Sequence, residues 1–318
     1  MSDTPDPRNV LNDLSNRQWL KETKSFWQSR ADGAEGCEDE LVGEFVQWLR
    51  ETREPEEVAR LLEQLDESFV YSKAPPRSKL KSLHPATFSE ADIERLIRLF
   101  TKHGETVLDP FVGSGSALIA CAKAGRRGVG VELSAQWADV ARRRIEEETA
   151  VLGAESTQGV LEGDACEQLS QLEPDCFDFV VTSPPYWSIL TRKAGMKAKA
   201  ERVKKGLPTQ YSEDDADLGN IESYEGFLSE LAKVFAQCSR VLKPKRYMAV
   251  IVSDFRHGPR FYLYHSDLAA RIEAVGIALK GVTILAQDNK NLYPFGVMRH
   301  FVSNIHHQYI LVFQKPEG

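Results

Sequence analysis

From about residue 88 onward, short apolar runs alternate with stretches of helical period. The runs at 106–109, 128–132, 159–162, 177–182, 247–253, 280–286 and 308–313 are rich in Val, Ile, Phe and Tyr. That is the composition of strands buried on both faces. The clearest helix spans 223–241, where Tyr224, Phe227, Leu228, Leu231, Val234, Phe235 and Cys238 recur at intervals of three and four. Alternating strands and helices predict an α/β fold, a seven-stranded, mostly parallel, doubly wound sheet covered by helices on both faces. No helical period separates the last two runs, which predicts a hairpin and one antiparallel strand. The first seventy residues read differently: Leu41, Phe45, Trp48 and Leu49, then Val58, Leu61, Leu62 and Leu65, repeat as amphipathic helices. Ala74-Pro75-Pro76 ends that stretch, so the expected organisation is a helical appendage over 1–75 and a main domain over 76–318.

Composition narrows the class. The 318 residues are 42% hydrophobic and 27% charged, which suits one well-cored domain with a small addition. No apolar run approaches the roughly eighteen residues of a membrane span. The N-terminus lacks the basic and apolar regions of a secretory signal. Five cysteines (Cys37, Cys121, Cys166, Cys176 and Cys238) form no Cys-x-x-Cys pair, and the histidines show no ligand spacing. The expectation is a cytoplasmic, reduced, metal-free protein with no membrane association.

The net charge of −7 is unevenly spread: residues 1–70 hold 17 acids and 8 bases, leaving 32 bases against 30 acids in the remainder. One later run, Arg192, Lys193, Lys197, Lys199, Arg202, Lys204 and Lys205, contains a single acid, Glu201. Such a run is either a solvated loop or a phosphate-contacting segment.

In an open α/β sheet the ligand lies beyond the carboxyl ends of the strands. After the first strand comes Asp109-Pro110-Phe111-Val112-Gly113-Ser114-Gly115-Ser116, a glycine-bearing turn into a helix. The third glycine of a dinucleotide fingerprint is replaced by Leu118, and Asp109 would repel a pyrophosphate while suiting a cationic ligand. The second strand ends in Glu132-Leu133, where a carboxylate suits ribose hydroxyls; the third leads into Asp164-Ala165, where an acid suits an adenine amino group. A ligand with ribose, adenine and positive charge is S-adenosylmethionine. The fourth strand ends in Thr182-Ser183-Pro184-Pro185-Tyr186-Trp187. Two prolines remove two N–H donors and leave carbonyl acceptors, and an adjacent ring offers a stacking surface for a flat base bearing an exocyclic amine.

These motifs resemble those of the amino-group DNA methyltransferases, which use S-adenosylmethionine to modify cytosine N4 or adenine N6. Ser183-Pro184-Pro185-Tyr186 is similar to the catalytic tetrapeptide, Asp109 to Gly115 to the cofactor turn, and His84-Pro85-Ala86-Thr87-Phe88 to the element that holds the methionine moiety. The resemblance covers about residues 80–315. It implies a Rossmann-like class I methyltransferase fold, with Ser183, Pro184, Pro185 and Tyr186 catalytic. It further implies that His84, Pro85, Ala86, Asp109, Pro110, Phe111, Gly113, Gly115, Glu132, Leu133, Asp164 and Ala165 bind cofactor. The serine form is similar to that of the N4-cytosine enzymes, though some N6-adenine enzymes carry it. The cofactor turn precedes the tetrapeptide, the reverse of many N4 enzymes, so the chain reads as a permuted or compact relative without a large recognition domain. DNA contacts are expected at Trp187, Arg192, Lys193, Lys197, Lys199, Arg256, Arg260 and Arg299. The family resemblance is compatible with a homodimer and with a cognate restriction endonuclease as partner. Rival readings are an RNA or protein-glutamine methyltransferase and a catalytically silent nucleic-acid-binding subunit.

Overall fold

A computed structural model describes residues 5, 7, 9–15, 18–19, 22–30, 47, 53–54, 57, 71–73, 89–150, 157–187, 217–287 and 302–317. In chain order its strands are β1 (Phe26–Arg30), β2 (Tyr71–Lys73), β3 (Thr106–Asp109), β4 (Arg127–Glu132), β5 (Gln158–Glu162), β6 (Phe177–Thr182), β7 (Leu242–Val252), β8 (Phe255–His257), β9 (Arg260–Tyr262), β10 (Ala278–Gln287) and β11 (His307–Gln314). The helices are α1 (Glu90–Phe100), α2 (Ser116–Ala124), α3 (Ala135–Thr149), α4 (Ala165–Ser170), α5 (Tyr224–Val241) and α6 (Tyr264–Glu273), with a 3-10 turn at Leu218–Asn220.

Nine strands form one sheet in the order β2-β1-β10-β11-β7-β6-β3-β4-β5, and β8 and β9 form a separate hairpin. All seven strands expected from the apolar runs are in the large sheet. The pairing is parallel except at β11, which runs antiparallel to both β10 and β7, as the missing helical period between the last two runs implied. Alternation along each strand sends neighbours to opposite faces. Leu108, Val180, Met248, Val250 and Leu311 pack beneath α4, α5 and α6. Val107, Phe179, Val181, Ala249, Ile251 and Ile310 pack beneath α1 and α2. Ile145 of α3 joins Leu118 and Ile119 of α2 in a third cluster. Both faces are therefore dry at the centre of the sheet, where the apolar runs follow from that, while β5 and β10 are more exposed.

The sheet winds outward from β3 through β4 to β5 and then returns to β6 and β7. The order reverses between β3 and β6, so their two carboxyl-end turns lie side by side at the switch point.

The N-terminal segment departs from the helical expectation. Phe26–Arg30 is a strand parallel to β10, and Tyr71–Lys73 is a strand parallel to β1, so the sheet gains two strands beyond the predicted seven. Trp27 on β1 is 1% exposed, and the Arg95 guanidinium lies 3.9 Å over its ring while pairing with Glu22 at 3.0 Å. A short strand on an edge takes its state from the partner it pairs with, and local periodicity does not carry that information. The apolar positions cited for N-terminal helices, Leu41, Phe45, Trp48, Leu49, Val58, Leu61, Leu62 and Leu65, lie outside the described residues.

Candidate active site

The turn after β3 is fixed on every side. Gly115 caps α2 with φ of 85°, and a Cβ there would come within 3.2 Å of the Ala141 Cβ, so this position requires glycine for both its backbone and its space. The Gly113 N–H donates to Glu132 Oε2 at 2.9 Å, and the Ser134 N–H donates to Glu132 Oε1 at 3.0 Å. From behind, Arg144 of α3, 1% exposed, donates through Nη1 to the Ser114 carbonyl at 2.7 Å and to its hydroxyl at 3.2 Å. Its Nη2 donates to Glu90 Oε1 at 2.6 Å, so a planar fork ties the turn to the start of α1. The third turn is joined as well, because the Gly163 N–H donates to the Glu132 carbonyl at 2.9 Å.

Asp109 stands at the centre. Its Oδ1 accepts from Thr182 Oγ1 at 2.6 Å and from the Phe111 N–H at 3.0 Å, while the buried Oδ2 has no partner. Burial pushes its carboxyl up to about 7 from the ordinary 3.8, against the downward pull of the Thr182 hydrogen bond. Glu132 is also raised, first by burial, with a further push from Asp217. Leu133 follows it half-buried, and Pro110 is buried in the turn. Asp164 accepts from the Glu167 N–H at 3.0 Å as the cap of α4, with Ala165 buried beside it.

The turn after β6 is held by rings. Pro184 is buried, Ser183 half-buried, and the Pro185 carbonyl accepts from the Tyr264 hydroxyl at 3.3 Å. The Tyr186 hydroxyl accepts from the Ser253 N–H at 2.9 Å, and burial pushes that phenol up to about 12. Its ring meets Tyr264 at 5.8 Å and Phe255 edge-on at 6.5 Å. Trp187 is 8% exposed, donates through Nε1 to the Ile221 carbonyl at 2.9 Å and stacks on His257 at 4.6 Å. It therefore stands as a wall within the aromatic cluster, with little of its own face open.

The fold thus gathers Asp109, Pro110, Phe111, Gly113, Gly115, Glu132, Leu133, Asp164, Ala165 and Ser183 to Tyr186 at the carboxyl ends of β6, β3, β4 and β5. Arg256 and Arg260 lie on the β8–β9 hairpin: Arg256 donates to the Ser303 carbonyl at 2.8 Å and its hydroxyl at 3.0 Å, and Arg260 lies over the Tyr262 ring. His84, Pro85, Ala86, Arg192, Lys193, Lys197, Lys199 and Arg299 lie outside the described residues. Sequence reasoning missed Thr182, Arg144, Ser253 and Tyr264 as supports of the site. Only Arg144 carried a signal, since it falls seven residues after Trp137 and three after Ala141, on the apolar face of its helix. Among the described residues no three His, Cys, Asp or Glu side chains converge as metal ligands, and no helix is long and apolar enough to cross a membrane.

Comparison with known proteins points to one family. The sequence model described as DNA methylase, covering N6 and N4 methyltransferases, matches residues 5–143 and 177–318. The chain is 39% identical over 83 residues to the type II methyltransferase M.ScaI of Streptomyces caespitosus, which is 26% of this chain and 27% of that protein. It is 40% identical over 65 residues to the type II methyltransferase M2.DpnII of Streptococcus pneumoniae, 20% of this chain and 24% of that one. These matches span about a quarter of the length of the curated relatives. Among solved structures, a putative DNA modification methylase of Thermus thermophilus in complex with S-adenosyl-L-methionine is 25% identical, covering 49% of this chain and 52% of that one at a TM-score of 0.34. A SAM-dependent methyltransferase of Methanosarcina mazei is 12% identical, covering 70% and 97% at a TM-score of 0.43.

Proposed function

The chain belongs to the DNA methylase family of N6 and N4 methyltransferases, and we propose that it transfers a methyl group from S-adenosylmethionine to the exocyclic N4 of cytosine in DNA. The observation that carries this reading is the 2.6 Å bond from Thr182 to Asp109, which locks the target-side turn to the cofactor-side turn at the switch point of a class I methyltransferase fold.

The residues present fit the cofactor. The glycine turn leaves its backbone free of side chains for a ligand to approach, Glu132 at the end of β4 beside that turn supports ribose binding, and the buried, unpartnered Asp109 Oδ2 supports a cationic ligand. Asp109, the backbone of Gly113 and Gly115, Glu132, Leu133 and the Asp164-Ala165 turn would hold it, with His84-Pro85-Ala86 as the family resemblance implies. The bound cofactor supplies an electrophilic methyl group on a sulfonium.

An exocyclic amine is a weak nucleophile because its lone pair is delocalised into the ring. The Ser183 hydroxyl and the Pro184 carbonyl accept its two hydrogens, which favours a tetrahedral nitrogen with its lone pair aimed at the methyl. As the amine gains the methyl group it gives up one of its two protons, which passes by way of the half-buried Ser183 hydroxyl to solvent; acceleration comes from positioning and from acceptors placed in advance of the charge that develops on nitrogen. Tyr186 stacks on the base, and the Ser253 bond fixes the plane in which it does so. Such an amine lies inside a duplex, so the base is extruded or already single-stranded. Chemistry through a cysteine nucleophile fits poorly: Cys121, Cys166, Cys176 and Cys238 are all pushed above the ordinary thiol value, burial being the largest cause for each. The serine at the head of the tetrapeptide supports cytosine over adenine. The basic run from Arg192 to Lys205 supports phosphate contacts and steep salt dependence.

The test is to incubate the protein with methyl-labelled S-adenosylmethionine and unmethylated DNA, with bulk RNA in parallel, then digest to nucleosides and identify the product by mass spectrometry. N4-methylcytosine is expected. N6-methyladenine would keep the mechanism and change the base; label confined to RNA, or no label anywhere, would overturn the reading.

A further inference from the structure

The β8–β9 hairpin was not foreseen from the sequence, and its two faces differ in kind. Side chains alternate along it, so Phe255, His257, Arg260 and Tyr262 share one face while Arg256 and Phe261 share the other. The inner face is continuous with the target-side turn: His257 stacks on Trp187 at 4.6 Å, Tyr262 meets Trp187 at 5.5 Å, and Phe255 meets Tyr186 at 6.5 Å. The outer face is open. Phe261 is 38% exposed and Leu263, just beyond the strand, is 53% exposed. Among the described residues, the other large apolar side chains of comparable exposure are Val10 on the N-terminal segment and Val282 and Ile284 on β10, three strands away from β6.

One cation lies over the exposed ring and a second stands at the turn. The Arg256 guanidinium lies 5.0 Å over Phe261 and is braced on Ser303, in the segment leading into β11. Arg260 stands exposed at the tip beside Gly258, and no acid occurs from residue 255 to 263. A rigid, basic ribbon with an apolar residue at its edge, mounted on the ring that would stack the target base, has the chemistry of a group that enters a base stack between phosphates.

We propose that the outer face of this hairpin meets the DNA strand flanking the target base, with Phe261 entering the stack beside the extruded nucleotide and Arg260, at the exposed turn end of the hairpin, meeting a phosphate. This rests on the DNA-methylating activity proposed above. Extrusion breaks stacking and pairing, and an apolar wedge offsets part of that cost. On a single strand most of that barrier is absent, so the wedge has little to do.

The experiment compares Phe261→Ala and Phe261→Trp with the unaltered protein on the same unmethylated DNA, native and heat-denatured. Phe261 is exposed, so both variants keep their melting temperature. Phe261→Ala is expected to lose about tenfold or more of its turnover on duplex and no more than about twofold on denatured DNA, with Phe261→Trp near the unaltered rate on both. Arg260→Gln is expected to reduce the slope of log affinity against log salt by about one. Equal losses on the two substrates would make Phe261 a prop for Tyr186 and overturn the proposal, as would no loss on either. An unaltered protein that methylates denatured DNA alone overturns the wedge and leaves the activity standing; one that methylates neither overturns the activity itself.

Discussion

The cofactor-side and target-side turns sit next to each other at one switch point, yet they are held by different physics. Around Gly113 to Ser116 the supports are directional: the Arg144 fork, the two Glu132 acceptors and the Glu90 carboxylate each fix a particular atom. Around Ser183 to Trp187 they are surfaces: Tyr186, Trp187, Tyr224, Phe255, Tyr262 and Tyr264 pack ring against ring, with single hydrogen bonds from Ser253 and Tyr264 setting the rotation. On the proposed function, a cofactor of fixed shape would be met by fixed atoms, and a base arriving from a stack would be met by rings, which set a plane and permit entry along it.

The largest effect should separate chemistry from both scaffolds. Ser183→Ala removes an acceptor for the amine and touches neither the Arg144 fork nor the aromatic cluster. Turnover is expected to fall by about a hundredfold or more, with cofactor affinity by calorimetry and the melting temperature unchanged. Undiminished turnover in a folded variant would remove Ser183 from the reaction.

The next breaks the directional scaffold. Arg144→Met leaves the Glu90 carboxylate buried without its closest partner, which should lower stability by roughly 3–5 kcal/mol and loosen the glycine turn. Cofactor affinity should fall while the base-side kinetics of the surviving fold are kept. A Glu90→Gln, Arg144→Met pair should recover part of the stability and little of the affinity, because the Ser114 contacts stay lost. If the pair restores affinity too, the fork serves only to neutralise Glu90.

The surface scaffold should yield more gently. Tyr186→Phe keeps the ring and removes its bond to Ser253, which should cost about 1 kcal/mol and raise the Michaelis constant for DNA more than it lowers turnover. A change confined to turnover would place the hydroxyl in the chemistry.

The same contrast explains what the sequence revealed. The central strands, buried on both faces, are apolar for most of their length, and the more exposed β5 and β10 still carry Val, Ile and Leu, so β3 to β7, β10 and β11 announced themselves, and the Asp109 turn and the Ser183 tetrapeptide followed at the carboxyl ends of β3 and β6. Strand β1 did not, because a five-residue segment next to the edge strand β2, with Trp27 turned to the core, has neither length nor period. The β8–β9 hairpin was hidden for a related reason: two three-residue strands around Gly258-Pro259 are shorter than any window that detects alternation. Of Arg142, Arg143 and Arg144 only the last is buried, and helical phase picks it out only after the ends of α3 are known. Supports made by Thr182, Ser253 and Tyr264 depend on strands meeting across long separations, which a pattern along the chain does not contain.

The smallest effect tests the bond between the two turns. Asp109 has a folded-state value near 7 against 3.8 when exposed. Below 3.8 folded and unfolded chains both carry the proton and this group makes no difference. Between 3.8 and 7 the unfolded chain releases it and the folded chain keeps it, so stability falls as pH rises through that window and levels off above 7. A cationic cofactor reverses the preference by favouring the ionised carboxylate, so its binding is coupled to proton release. Affinity for S-adenosylmethionine is therefore expected to rise by about three- to fivefold from pH 6 to pH 8, measured by calorimetry in buffers of different ionisation heat. Asp109→Asn should flatten that rise and bind more weakly at pH 8. A rise that survives in Asp109→Asn would assign the proton to Glu132, the other raised carboxyl facing the glycine turn.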